Sequence, residues 1–136
     1  LNQSRVRETN FADDNRKQIL LYFRTNCAFC QKQMIYWKNL VADIDPAEYQ
    51  VSALTIEDDL QVIKKYIKDY GVENWEVLIL DSEDAAKAKL SATPTTVVGG
   101  AQGKVEKVWI GLWQERELSL IGDYFSIDFT RINSMN

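Results

Sequence analysis

Ile19-Leu20-Leu21-Tyr22-Phe23-Arg24-Thr25-Asn26-Cys27-Ala28-Phe29-Cys30-Gln31 is the stretch on which the reading of this chain turns. A short continuous apolar run, Ile19 to Phe23, has the pattern of a central strand covered on both faces. A polar turn follows, and then both cysteines of the chain, two residues apart. From Cys30 the apolar residues Met34, Trp37, Val41 and Ile44 recur at steps of three and four, with Ile35 and Leu40 widening the stripe, which predicts a helix with one buried face. Cysteines at i and i+3 on the first turn of a helix are neighbours in space. Cys27 then stands where free N–H groups and the helix dipole favour a thiolate, and Cys30 stands one turn further in. That arrangement can exchange a dithiol for a disulfide. Cys27 attacks, Cys30 resolves, and the reverse sequence oxidises a substrate dithiol.

The rest of the chain is consistent with one domain. It has 136 residues, 46% hydrophobic and 26% charged, enough to bury a core without disulfide support. A net charge of −4 argues against nucleic acid as a partner. With no histidine and no third cysteine the chain cannot complete a zinc site, so no metal is expected. The missing histidine also removes Ser–His and Cys–His nucleophile pairs. Closing so small a loop would stabilise the fold little, which counts against a purely structural disulfide. No apolar run approaches the length of a membrane span. The chain begins at Leu1 rather than Met, which raises the expectation of a removed upstream signal, anchor or tag.

Beyond the opening stretch, Asp45 and Pro46 end the first helix. Tyr49 to Ile56 reads as a strand. Leu60, Ile63, Ile67 and Tyr70, joined by Val62 and Tyr66, read as a helix stopped by Gly71. Val77 to Leu80 reads as a strand, and Asp81 to Leu90 as a helix capped by Asp81 or Ser82. Pro94 to Val98 and Lys104 to Gly111, joined by a Gly-rich loop, predict an antiparallel hairpin. Leu118, Ile121 and Phe125 line a last helix from about Gln114. The expected order is β-α-β-α-β-α-β-β-α, an α/β fold with a central mixed sheet and helices on both faces. Residues 1–18 read as a polar leader, docked through Phe11, residues 19–125 as the domain, and residues 126–136 as a tail.

Ala92-Thr93-Pro94-Thr95-Thr96 supplies a second signal, because a strand start is one of the few places where a sheet tolerates proline. Strand, Cys-x-x-Cys and helix, followed by Thr-Pro-Thr-Thr opening a hairpin with Gly103-Lys104, resembles the thioredoxin superfamily. Tyr66-Ile67-Lys68-Asp69-Tyr70-Gly71-Val72 and Val77-Leu78-Ile79-Leu80-Asp81 resemble its TlpA/ResA-like branch. The resemblance covers residues 19 to 122.

It implies a thioredoxin-like fold and a thiol–disulfide oxidoreductase with Cys27 and Cys30 as catalytic residues and redox-active disulfide. Pro94 would be cis and face that pair, and the Thr93 backbone would pair with a bound substrate segment. Asn26, Ala28 and Phe29 would complete the substrate-binding surface. No cofactor is implied. The implied partners are a protein thiol or disulfide substrate, such as a cytochrome c apoprotein or another exported protein, and a membrane-embedded thiol donor. The implied location is extracytoplasmic, in the periplasm or cell envelope, and the implied state is a monomer. A non-catalytic thioredoxin-fold module binding an exported partner is the alternative. A peroxide-reducing relative is a third reading, for which Arg24 is the nearby polar group.

The sequence departs from the branch at four points. Asn26 stands where members carry Trp, and Ala28-Phe29 lacks the common Pro. Leu21 stands where thioredoxins bury an Asp, and Gln33 where related reductases place a Glu. The proton acceptor for Cys30 is therefore unassigned. Glu57, Asp58 and Asp59 follow the second strand, but read as a solvated helix start.

Overall fold

The computed structural model describes residues 15–87, 90–100 and 103–129. Within them the elements run β1 (Lys17–Tyr22), α1 (Ala28–Asp43), β2 (Tyr49–Thr55), α2 (Leu60–Tyr70), β3 (Glu76–Ile79), α3 (Ser82–Lys87), β4 (Thr95–Gly99), β5 (Val105–Ile110) and α4 (Glu115–Phe125). The sheet order is β3-β2-β1-β4-β5. β1 pairs in parallel with β2, and β2 with β3. The hairpin strands β4 and β5 bring the antiparallel pairings, β4 lying against β1.

Alternation along β1 divides the core. Ile19, Leu21 and the following Phe23 join one cluster, with Met34, Trp37 and Leu40 from α1, Ile63, Tyr66 and Ile67 from α2, and Leu118, Ile121 and Phe125 from α4. Tyr22, with Leu20 against it, joins the other, made with Leu54, Leu78, Leu80 and Ala85 of α3. Successive side chains of a strand point to opposite faces, so α1, α2 and α4 cover one face and α3 the other.

The predicted helix signals act as the sequence implies. Asp59 caps α2 by accepting from the N–H groups of Gln61 and Val62 at 3.1 and 3.3 Å. Gly71 ends it in the left-handed region at φ 69°, and the Val72 N–H reaches back to the Ile67 carbonyl. Asp81 accepts from the Asp84 N–H at the start of α3.

Three details differ from the sequence reading. Ile35 and Val62 are exposed, because each sits to the side of its helix's buried stripe. On α1 a polar residue, Gln33, takes a fully buried position instead. The described fold also passes both limits read from the sequence. Lys17 and Gln18 pair with Tyr49 and Gln50 as part of β1. After α4, Ile127 and Phe129 are buried, Phe129 edge-on to Trp113 with centroids 5.4 Å apart. The leader up to residue 14, with Phe11, and the tail from residue 130 lie outside the described residues.

Candidate active site

The topology brings the two sequence signals together. β1 and β4 are antiparallel neighbours with Tyr22 opposite Thr95, so the end of β1 and the start of β4 lie at one edge of the sheet. The chain leaving β1 turns through Arg24, Thr25 and Asn26 and enters α1 at Cys27. Cys27 is the N-cap residue, with extended backbone, and its Sγ accepts from the Cys30 N–H at 3.1 Å. Serine, threonine or aspartate usually fills that role, so the sulfur is held where a helix terminus favours an anion. No acidic residue lies in the first turn of α1 to oppose it. Both thiols are free, Cys27 half-buried and Cys30 fully buried.

Facing them is the start of β4. The Cys27 thiol donates to the Thr93 carbonyl at 3.6 Å. The Thr93–Pro94 peptide bond is cis. The Gly111 N–H donates to the Pro94 carbonyl at 2.7 Å, and the Thr95 hydroxyl to the Ala92 carbonyl at 2.6 Å. Trp37 links the two halves of the site. From three turns into α1, its indole N–H donates to Thr96 Oγ1 at 3.0 Å, in the buried core. Asn26, Ala28 and Phe29 are exposed around the cysteines, Phe29 by 57% and with Lys32 Nζ 5.7 Å from its ring centroid. Thr93 is half-buried and Pro94 buried.

The two thiols are driven apart electrostatically. Burial pushes the Cys27 pKa up, but hydrogen bonds from the Cys30 side chain, Thr93 and the N–H groups of Cys30 and Phe29 outweigh it, leaving Cys27 below the ordinary thiol value. Burial, reinforced by Cys27, pushes Cys30 up to about 12. One sulfur is a ready nucleophile and the other holds its proton.

Leu21 is fully buried and apolar, and Gln33 is fully buried and neutral. Gln33 Oε1 accepts from the Trp113 N–H at 2.8 Å, so it ties α1 to the segment ahead of α4. Of the three acidic residues after β2, Asp59 is a helix cap, as a solvated helix start requires. Glu57 is not simply solvated. Its carboxylate accepts from the Thr25 N–H at 3.0 Å and from the Thr25 hydroxyl at 2.8 Å, bracing the turn that carries Cys27. The signal was its place just past β2, whose C-terminal end emerges beside that of β1 in the parallel pair. Glu57→Ala is expected to cost about 1–3 kcal/mol of stability, since Thr25 loses both acceptors. It should also slow alkylation of Cys27 by roughly 3- to 10-fold by loosening the turn. Thermal melting and iodoacetamide kinetics check both, and Glu57→Gln, which retains an acceptor, should fall between.

Among the described residues, no group of three or more His, Cys, Asp or Glu side chains gathers as a metal site would need. No helix among them is long and apolar enough to cross a membrane.

Solved structures share this architecture. A thiol-disulfide isomerase of Corynebacterium glutamicum superposes with a TM-score of 0.67 at 18% identity, covering 85% of this chain and 84% of the other. StoA of Bacillus subtilis gives 0.60 at 20% identity, covering 79% and 83%. In sequence the chain is 28% identical over 108 residues to the thiol-disulfide oxidoreductase ResA of Bacillus subtilis, covering 79% of this chain. The chain has a thioredoxin-like fold. It spans 59% of the length of ResA. No family model matches the chain. The thioredoxin-like fold explains why the two signals meet, with the Cys-x-x-Cys turn after the central strand and the Thr93–Pro94 turn before its antiparallel neighbour.

Proposed function

We propose that this protein is a thiol–disulfide oxidoreductase working through Cys27 and Cys30. The observation that carries the proposal is the asymmetry of the pair. Cys27 Sγ caps a helix, accepts an N–H and lies below the ordinary thiol range, whereas Cys30 is buried and protonated. In the reductive direction the Cys27 thiolate attacks a substrate disulfide. A Cys27–substrate disulfide forms, and the leaving sulfur departs with the electron pair and takes up a proton. Cys30 then loses its proton and attacks Cys27 Sγ, the second substrate sulfur leaves and is protonated, and Cys27–Cys30 is left oxidised. Two electrons have passed to the substrate. Pro94, with Asn26, Ala28 and Phe29, shapes the surface over which the substrate lies, and the Thr93 backbone pairs with it.

The resemblance to the TlpA/ResA-like branch supports the finer reading. The protein acts as a monomer outside the cytoplasm, reduces disulfides of exported proteins such as cytochrome c apoproteins, and draws electrons from a membrane-embedded thiol carrier. A turnover assay tests the reaction class. With dithiothreitol as reductant, the chain is expected to accelerate reduction of a protein disulfide well above the rate of the reductant alone. If it does not, the fold serves as a binding module for its partner instead.

A further inference from the structure

Among the described residues β5 is the last strand at its end of the sheet, so one of its long edges faces away from β4. The register along it is broken once. Gly99 is opposite Val105 and Val98 opposite Lys107, which makes Glu106 the extra residue of a bulge. The bulge changes which side chains share a face. Trp109, and with it Lys107, lies toward α4, where the indole meets Tyr124 and Phe125 with centroids 5.4 and 5.6 Å apart. Glu106 turns to the same side, its carboxylate accepting from the Tyr124 hydroxyl at 3.3 Å. Val105, Val108 and Ile110 are left together on the opposite face, 64%, 44% and 70% exposed. The core cluster of that face contains residues of β1, β2, β3 and α3 but none of β4 or β5.

The backbone of the same strand is open on its outer side. The Gly111 N–H donates to the Pro94 carbonyl at 2.7 Å. In an antiparallel ladder the groups of Gly111, Trp109 and Lys107 then point at β4, and those of Ile110 and Val108 point away from it. Sheet edges are commonly blunted by charge, proline or a bulge. Val108 and Ile110 supply neither charge nor proline, and the bulge lies at the far end of the strand. The near end adjoins the cysteines. Ile110 is opposite Thr95, Gly111 holds the Pro94 carbonyl, and the Thr93 carbonyl accepts from the Cys27 thiol at 3.6 Å.

We infer that the outer edge of β5 takes up an extended apolar segment of the substrate protein as an added strand, while the substrate cysteine is at Cys27. The inference deepens the oxidoreductase reading and rests on it. A polypeptide backbone matches a row of outward N–H and carbonyl groups, and alternate side chains of the incoming strand pair with Val108 and Ile110. The added strand lies two strand spacings, about 10 Å, from β4, a distance that about three to five extended residues cover. The substrate class follows. It is a protein whose cysteine is flanked, about three to five residues away, by β-branched or aromatic residues at alternate positions, in a stretch that is extended rather than helical. The exchange steps at Cys27 and Cys30 are unchanged by docking.

Two peptides, each with its cysteine in a mixed disulfide with thionitrobenzoate, test this. One carries Val-Thr-Val about four residues from the cysteine and the other Ser-Thr-Ser. The Cys27 thiolate attacks the peptide sulfur and thionitrobenzoate leaves with the electron pair, so its absorbance reads the rate. The Val peptide is expected to react about 10-fold faster at limiting concentration, the size of two apolar cross-strand pairs. N-methylation within Val-Thr-Val keeps the side chains, removes backbone donors and should erase the advantage. Val108→Pro, which removes an N–H facing away from β4, should erase it too. Equal rates for the two peptides overturn the inference. A second measurement needs neither turnover nor a β5 variant. In Cys30→Ser carrying the Val peptide on Cys27, the amide hydrogens of Val108 and Ile110 should exchange at least about 10-fold more slowly than in the same chain without peptide. Unchanged exchange overturns the docking edge. Protection already present without peptide gives the edge to a segment of the same chain, and protection that grows with protein concentration gives it to a second copy; either overturns the inference. Protection by peptide in a protein that catalyses no exchange keeps the docking edge and sinks the oxidoreductase reading.

Discussion

Cys27→Ser is expected to reduce disulfide exchange by at least about 10³-fold, to the rate of the small-molecule reductant alone. The hydroxyl can replace the sulfur as helix cap, because serine is among the residues preferred at an N-cap. The fold should therefore be kept, with an unchanged circular dichroism spectrum, while the nucleophile is lost. Cys30 cannot take over, being fully buried and, at about 12, protonated at neutral pH. In the wild type the first step should follow the Cys27 thiolate. Its rate rises with pH until Cys27 is ionised and then levels off, and the plateau should be reached below the ordinary thiol range because the Cys27 pKa is depressed. Stopped-flow alkylation across pH 5 to 10 (an assay range spanning the thiol values of) checks the sign. A plateau above the free-thiol value would show that burial outweighs the hydrogen bonds on Cys27.

The largest effect on stability is expected at Trp37. It is fully buried among the residues joining α1 to the sheet, and its indole N–H is the donor to Thr96. Truncating a buried aromatic of this size to alanine costs about 3–5 kcal/mol. Against a typical total of about 5–15 kcal/mol, that places the variant near unfolding, with a melting temperature lowered by roughly 10–20 °C. Trp37→Phe keeps most of the apolar contact but leaves Thr96 Oγ1 without its donor, and should cost about 1–2 kcal/mol. The milder variant reports on the site. Trp37 is the cross-link between the helix carrying Cys27 and the strand that follows Pro94, so exchange should slow in Trp37→Phe at temperatures where the protein is fully folded. Unchanged exchange there would mean that the two halves are held in place by the sheet alone.

What could be read from the sequence was what rests on local chemistry. Ile19 to Phe23 and the cysteines fixed the central strand and the helix start, Gly71 marked a left-handed stop, and the Thr-Pro-Thr-Thr stretch located the turn facing Cys27. These signals lie in runs of a few residues, and their meaning depends little on the rest of the chain. The missing parts are contacts between segments far apart. Gln33 reads as a neutral residue where related reductases place a Glu, and its partner, the Trp113 N–H, lies 80 residues along the chain. Glu57 reads as one of three solvated acids until the parallel pairing of β1 and β2 sets it against Thr25. Trp37 is recognisable as core, but its partner on β4 is not. Tyr66 reads as one more apolar position on α2, and only the packed structure shows its ring stacked on Phe23 with the hydroxyl buried and unpartnered. Ile127 and Phe129 sit in a stretch without periodicity, and their burial follows from the docking of that segment against Trp113.

The central claim is that Cys27 attacks and Cys30 resolves, and one measurement addresses it directly. Cys30→Ser, incubated with a disulfide-containing protein and analysed without reductant, should accumulate a covalent complex. Mass spectrometry should locate the new bond at Cys27, dithiothreitol should release the complex, and the wild type should show almost none of it, because Cys30 clears each intermediate as it forms. If Cys30→Ser forms no complex with any disulfide substrate while its fold is intact, or if the trapped bond is at another position, Cys27 is not the attacking thiol and this account of the site is wrong.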